Sequence, residues 1–251
     1  MRLAALSITI FGVGRMGRLV GEIATQRGHS IVARLDSKSA GVAIPKSTDV
    51  AIDFSIASAV LPNVRRACAA RCDLVVGTTG WDLSGEREEL KLTVEAAGTG
   101  AVVAPNFSFG AHLFRLLVRE AARLASGDAE VDLWIEEAHH RMKADHPSGT
   151  ALSLARDVLE RLPRKNEILT RLPEGPVPPG ALVVSAARGG FEPGLHRLVL
   201  DAPEEQITLE HRARSRRAFA AGAVRAAEWV RGRRGTFTLD DVISTSNGAP
   251  S

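Results

Sequence analysis

The densest chemistry in the chain lies in EEAHHRMKADHPSGTA, residues 136–151. His139 and His140 can exchange protons or donate hydrogen bonds, and Lys143 adds a fixed positive charge. A histidine near its reference pKa of about 6.5 delivers a proton at neutral pH, which suits a reaction that leaves negative charge on its substrate. Pro147, Ser148, Gly149 and Thr150 then read as a helix start, with Ser148 as N-cap and the amides of Gly149 and Thr150 free to meet an anion. A carboxylate is the natural guest at such a helix tip. A substrate with two carboxylates would be held by that tip at one end and by His140 or a Lys or Arg at the other. His139 and Lys143 are then left for the proton. The same segment crowds His139, His140 and His146 with Glu136, Glu137 and Asp145, so a metal centre has to be weighed. Adjacent histidines point in different directions and no HExxH spacing is present, so no metal is expected.

A second signature stands near the N-terminus. GVGRMGR places Gly12, Val13, Gly14, Arg15, Met16 and Gly17 between an apolar run, SITIF, and a helical stretch. Glycines there let backbone amides approach a pyrophosphate at the start of a helix. A glycine triplet alone is a weak signal; Asp36 strengthens it, standing at the end of the next strand about 20 residues on, where a ribose hydroxyl would be met. The Asp36 carboxylate suits NADH, and the nearby Lys38 would tolerate the extra phosphate of NADPH, so the choice between the two stays open. Two further strand ends, Gly77, Thr78 and Thr79 in GTTG and Ala104, Pro105, Asn106 and Phe107 in APNFS, also follow apolar runs. Both project from the carboxyl edge of a parallel sheet, where they would flank a nicotinamide.

The elements that must carry these residues alternate through the first hundred positions. SITIF, SIVARLD, DVAIDFS, DLVVGTTG and GAVVAPNFS read as strands, with helices at about Arg15 to Gln26, Ala57 to Ala70 and Ser84 to Ala97. This is the α/β class, a Rossmann-type doubly wound parallel sheet. After Phe107 come a long helix (Ala111 to Ala125), an alternating strand VDLWIEEA, the motif-dense loop and a helix from Ser148 to Leu162. Strands ALVVSAAR, HRLVLDA and QITLEHRA follow a Pro- and Gly-rich surface loop, RLPEGPVPPG. They make a second, smaller α+β domain, residues 107–216. A last helix, Ala218 to Arg231, and GTFTLDDVI are placed with the dinucleotide-binding domain, as 217–251 joined to 1–106. The closing STSNGAPS is expected to fray.

Bulk properties narrow the partners. The 32 Lys and Arg against 29 Asp and Glu give a net charge of +3, too even for a protein that coats nucleic acid. The two cysteines, Cys68 and Cys72, sit at one-turn spacing on a presumed helix and read as reduced thiols. MRLAALSITIF reads as a buried strand rather than a signal peptide, and no apolar run approaches the roughly 20 residues needed to span a bilayer. No membrane partner and a cytoplasmic location are expected.

Together, GVGRMGR, VVGTTGW, APNFSFG and above all EAHHRMKADHPSGTA resemble the successive signatures of the 4-hydroxy-tetrahydrodipicolinate reductase family, formerly called dihydrodipicolinate reductase. RGGFEPGLH, ITLEHRARSR, FAAGAVRAAEW and GTFTLDDVI resemble its C-terminal pattern, so the resemblance spans nearly the whole chain. It departs at His146, where a small apolar residue is usual, and at Phe191, Glu192 and Pro193, which replace acidic and β-branched residues. The resemblance implies hydride transfer from NADH or NADPH to the dehydrated form of 4-hydroxy-tetrahydrodipicolinate, yielding tetrahydrodipicolinate in lysine and diaminopimelate biosynthesis. It implies His139 as proton donor or acceptor, Lys143 as second catalytic group, and His140, Ser148, Gly149 and Thr150 as substrate contacts. Gly12 to Gly17, Asp36, Gly77 to Thr79 and Ala104 to Phe107 become cofactor contacts, and residues 107–216 the substrate-binding and oligomerisation domain of a homotetramer. Two other readings compete. A related amino-acid or homoserine dehydrogenase would lack the HHxxK and PSGTA pair, and a nucleotide- or nucleic-acid-binding protein using HRARSRR (His211 to Arg217) would retain DNA in a salt-dependent way without nicotinamide turnover.

Overall fold

The computed structural model describes residues 4–39 and 41–246. In chain order its elements are β1 (Ser7–Phe11), α1 (Arg15–Gln26), β2 (Ser30–Leu35), β3 (Val50–Asp53), α2 (Val60–Ala69), β4 (Asp73–Val76), α3 (Glu86–Ala97) and β5 (Gly100–Val103). Next come α4 (Phe109–Ala125), β6 (Asp132–His139), α5 (Gly149–Arg161), β7 (Glu167–Leu169), β8 (Ala181–Arg188), β9 (Leu195–Asp201) and β10 (Gln206–Arg212). The chain closes with α6 (Arg217–Val230), β11 (Gly235–Phe237) and α7 (Leu239–Ser246). Packing divides these into two compact units, Met1–Phe109 with Arg216–Ser251, and Gly110–Ser215. The lines expected from the sequence, 106/107 and 216/217, fall three residues and one residue away from these. Of the closing STSNGAPS, residues 247–251 lie outside the described residues.

The first unit holds a six-stranded sheet in the order β11-β5-β4-β3-β1-β2, with every neighbouring pair parallel. Strands covered on both faces read as unbroken apolar runs, and VAID, DLVV and GAVV are buried at every position. The period-2 alternation sorts their side chains between two cores. Ile8, Ile10, Ile52, Val75 and Val102 pack with α1 and α6, while Phe11, Ala51, Leu74, Val76 and Val103 pack with α2 and α3. From β1 the chain goes first to β2 on one side and then to β3 on the other, so the order of strand addition reverses between β1 and β3. The carboxyl ends of that strand pair are where open α/β sheets take ligands.

Local breaks explain where helices start and stop. The expected helix at Ala57 to Ala70 is a 3₁₀ turn, Ala57–Ala59, followed by α2. The expected helix from Ser84 begins only at Glu86, after Gly85 takes a left-handed turn at φ 100°. The cysteine reading needs correcting: α2 ends at Ala69, the chain reverses through Arg71 at φ 53°, and Cys72 lies beyond the helix. Both thiols are buried and free, and burial pushes the Cys72 pKa up to about 12.

The second unit is a five-stranded mixed sheet in the order β10-β9-β6-β8-β7. β9 runs antiparallel to β10 and β6, while β8 runs parallel to β6 and β7. One face is covered by α4 (Phe114, Val118, Ala122) and α5 (Leu154, Val158, Leu162), packed on Leu133, Ile135, Leu182, Val184 and Leu198. Each of these side chains larger than alanine contributes roughly 1.5–3 kcal/mol when fully buried. β7 was not read from the sequence, because three residues, EIL, are too few to show a period. The Pro- and Gly-rich stretch at 171–180 is an exposed loop, as expected.

Candidate active site

In the first unit the glycine turn is built for close backbone approach. Gly12 adopts φ 91°, and a Cβ there would sit 2.3 Å from the Phe54 carbonyl oxygen. A Cβ on Gly17 would lie 1.8 Å from the Gly12 carbonyl oxygen, so that glycine lets α1 press against the turn. Gly14, by contrast, faces open space, with nothing within 4 Å of its would-be Cβ. It caps α1 with no side-chain acceptor, and the first turn carries no acid, so the positive helix end is presented with exposed Val13, Gly14 and Arg15. Met16 is half-buried against the core beneath. Asp36 follows β2 directly, and its Oδ1 accepts from the Lys38 amide and the Ser39 hydroxyl, each at 3.0 Å, which fixes the carboxylate at the strand end.

The other two strand ends divide between core and surface. A Cβ on Gly77 would strike the Phe54 ring at 2.3 Å, so only glycine lets the β4 end lie against β3. The Thr78 side chain turns inward and donates to Asp53 Oδ1 at 2.7 Å, whereas Thr79 is exposed. Ala104 and Phe107 are buried, Phe107 edge-on to Phe54 with ring centroids 6.2 Å apart. Pro105 is exposed, and Asn106 accepts the Ser108 amide on its Oδ1. Thr78, Ala104 and Phe107 are therefore committed to the core through their side chains, and a ligand at these positions would meet their backbone. Asp53 went unread in the sequence. Its carboxylate gathers the Ser55 amide and hydroxyl, Thr78 and Asn63, and the only signal was an acid ending a wholly buried strand.

In the second unit one strand face carries both core and chemistry. Along β6 the buried positions alternate as Leu133, Ile135, Glu137 and His139, so the apolar face that packs on α4 and α5 gives way to two polar groups at its end. Glu137 Oε1 accepts from Arg188 at 2.7 Å and from the Ser148 amide at 2.9 Å. Its Oε2 lies 2.8 Å from His139 Nδ1, a close approach at an angle outside hydrogen-bond geometry, and 3.8 Å from His196 Nε2. Ser148 caps α5 by accepting the Ala151 amide at 3.2 Å, and the same hydroxyl lies 3.2 Å from His196 Nε2. One buried carboxylate thus ties together β6, β8, β9 and the start of α5. Arg188 and His196 were not singled out in the sequence, since they lie some fifty residues from Glu137 and only sheet pairing brings them to it.

Electrostatics follow from that burial. Desolvation works to raise the Glu137 pKa, but Ser148 and Arg188 outweigh it and hold the carboxyl below the usual range. Burial lowers the pKa of His139 despite the pull of Glu137, and lowers that of His196 to about 4, with His139 adding repulsion. Burial therefore shifts His139 toward the neutral imidazole, away from the free-histidine value assumed from the sequence. His140 follows the strand end, half-buried, its amide bonded to the Glu192 carbonyl at 2.7 Å. Lys143 Nζ lies 2.7 Å from Asp145 Oδ1. At the tip of α5, Gly149 is exposed and Thr150 half-buried.

Metal ligation takes a different form from the one weighed in the sequence. Ligand atoms of Glu137, His139 and His196 lie within 4.8 Å of one another, whereas His140, His146, Glu136 and Asp145 stand outside that group. The Arg188 guanidinium donating into Glu137 supplies the cluster's positive charge, which disfavours a further cation there.

Two family models match the chain: dihydrodipicolinate reductase, N-terminus, over residues 6–107, and dihydrodipicolinate reductase, C-terminus, over 110–243. The 4-hydroxy-tetrahydrodipicolinate reductase of Christiangramia forsetii is 36% identical over 243 residues, covering 95% of this chain and 98% of that one. The enzyme of that name from Methanopyrus kandleri is 42% identical over 204 residues, covering 80% and 73%. Among solved structures, the dipicolinate-bound dihydrodipicolinate reductase of Paenisporosarcina sp. TG-14 shares the fold at TM-score 0.70, with 22% identity over 94% of this chain and 98% of that one. The chain belongs to the dihydrodipicolinate reductase family.

Proposed function

We propose that this chain reduces the dehydrated form of 4-hydroxy-tetrahydrodipicolinate to tetrahydrodipicolinate in lysine and diaminopimelate biosynthesis, with NADH or NADPH as reductant. The observation that carries the reading is His139 and the Ser148-capped tip of α5 held on buried Glu137, with Lys143 in the loop between them, in a chain that matches the Christiangramia forsetii enzyme of that name over 98% of its length. The dinucleotide fits the first unit because its glycine cradle offers α1's amides and open space at Gly14. Gly12 to Gly17 would hold the pyrophosphate, Asp36 the ribose, and Gly77 to Thr79 with Ala104 to Phe107 the nicotinamide end. When bound, that ring supplies hydride. Asp36 favours NADH by repelling a 2′-phosphate, and Lys38 beside it moderates the preference.

The second unit would hold the dicarboxylate. Gly149 and Thr150 offer amides at a positive helix end to one carboxylate, and His140 and Lys143 offer donors to the other. The bound dianion brings negative charge beside His139, and Glu137 stands behind the ring; both favour the imidazolium. His139 thereby gains its proton as substrate arrives and can hand it to the reduced product, while Lys143 stabilises the charge that develops. A homotetramer and a cytoplasmic location belong to the same reading; β10, an edge strand with Ile207 exposed, is the surface that supports assembly. Among the described residues no helix is long and apolar enough to cross a membrane.

The test couples the purified chain to fresh condensation product of pyruvate and aspartate semialdehyde and follows nicotinamide absorbance with each cofactor separately. Substrate-dependent oxidation of at least one cofactor is expected. Absence of turnover with both, from a folded sample that binds dinucleotide, rejects the assignment.

A further inference from the structure

Lys143 already holds a carboxylate. Its Nζ lies 2.7 Å from Oδ1 and 3.0 Å from Oδ2 of Asp145, so both oxygens of a side chain two residues on are engaged by one ammonium. The Asp145 backbone is held in place, because its carbonyl accepts from Arg188, the same guanidinium that binds Glu137. Three residues later the Ser148 amide is bonded to Glu137 as well. The loop is thus pinned at the aspartate and three residues beyond it, so that the aspartate's carboxylate can leave Lys143 by side-chain rotation without moving these anchors. Lys143 first, and the Gly149 amide at the tip of α5 to a lesser degree, hold that carboxyl below the usual carboxylate range. One tethered carboxylate therefore engages the lysine ammonium that a substrate carboxylate would use.

We infer that Asp145 is a built-in competitor for the substrate, a tethered carboxylate that occupies Lys143 in the free protein and must swing away when a substrate carboxylate binds there. The inference rests on the proposed assignment of Lys143 to the substrate. Its chemical consequence is an affinity cost on any carboxylate that binds at Lys143. A small monoanion must displace an intramolecular rival for a single contact, whereas a dicarboxylate brings a second anchor to offset that displacement. Asp145 tunes carboxylate affinity through Lys143, and it takes no part in proton transfer. The side chain is largely exposed, so the competing pair is screened and its removal should change affinity only modestly.

The experiment measures dipicolinate binding by calorimetry with saturating nicotinamide dinucleotide, on wild type, Asp145→Asn, Asp145→Ser, Lys143→Met and the double variant Lys143→Met with Asp145→Asn. Both Asp145 substitutions should tighten dipicolinate by about two- to fivefold, the worth of an exposed ion pair, and lower KM for substrate in parallel. In the Lys143→Met background the Asp145→Asn gain should vanish. Glu136→Gln, which removes a charge on the opposite face of β6, should leave affinity unchanged. Equal or weaker binding by both Asp145 variants overturns the inference, since it makes Asp145 a support for Lys143 rather than its competitor. A gain that persists without Lys143 overturns it too, by showing a general charge effect. If Lys143→Met binds dipicolinate as wild type does, the assignment of Lys143 to the substrate fails first and takes this inference with it.

Discussion

Replacing His196 with Gln should flatten the acid side of the stability curve. His196 is 6% exposed on β9, facing His139 across 5.2 Å between ring centroids, with Glu137, His211 and Lys143 as the other charges that bear on it. Burial lowers its pKa to about 4, while an unfolded chain takes up the proton near the ordinary imidazole value of 6.5. Between those values the unfolded state holds more protons, so stability rises with pH and is lost as pH falls from 6.5 toward 4. Those two constants give a loss of about 1.4 kcal/mol at about pH 5.5 relative to about pH 8, from this one ring. Gln keeps an amide that can reach the Ser148 hydroxyl but cannot take the proton. Urea denaturation of wild type and His196→Gln at both pH values measures the difference. Wild type should lose about 1.4 kcal/mol more than the variant on acidification. Glu137 does not confuse the result, because its lowered pKa makes its contribution fade only below the ordinary carboxylate range. Parallel losses in the two proteins would refute the reasoning, because the proton taken up on unfolding would then belong to some other group.

Three further outcomes test the site itself. His139→Gln should lower kcat by roughly 10²- to 10⁴-fold with dinucleotide affinity unchanged, read from steady-state kinetics and a cofactor titration; unaltered turnover removes His139 from proton transfer. Asp36→Ala should weaken NADH more than NADPH, and an equal loss for both cofactors contradicts the ribose assignment. Gly17→Ala forces a methyl against the Gly12 carbonyl, so it should cost about 1–3 kcal/mol in denaturant unfolding and weaken dinucleotide binding. A variant as stable as wild type, with the same affinity, means that α1 does not rest on the turn as described.

Legibility in the sequence followed the range of the interactions. α1 could be placed at Arg15 to Gln26 because a glycine turn starts it and the apolar period carries it, both local signals. Ser148 could be read as an N-cap for the same reason: capping is decided within three residues. The Thr78 side chain shows where such reading stops. A threonine in GTTG at a strand end looks ligand-facing, yet its hydroxyl is spent on Asp53, and nothing within a few residues of Thr78 announces that partner. Cys72 fails in the opposite way. Its spacing from Cys68 fits a helix, but the chain leaves α2 after Ala69 and spends Arg71 on a positive-φ turn that the residue type disfavours.

Glu137 is the largest case of this kind and bears most on function. In the sequence it is one of two adjacent acids, and period-2 alternation says only that one of them faces inward. Which one becomes the hub depends on β6 lying between β8 and β9, whose pairings set Ala138 against Ala187 and Glu137 against His196. Those registers bring Arg188 and His196 to the buried carboxylate, which then anchors the Ser148 amide and so the tip of α5. A buried carboxylate with one guanidinium, one amide and two imidazoles around it is stable only while all of them are in place. The imidazole that the sequence marks for proton transfer and the helix tip that it marks for a carboxylate therefore share one support. Their spacing is set by the sheet rather than by the loop that joins them, which is why a largely exposed segment from His140 to Pro147 can hold a reactive group at each end in fixed relation.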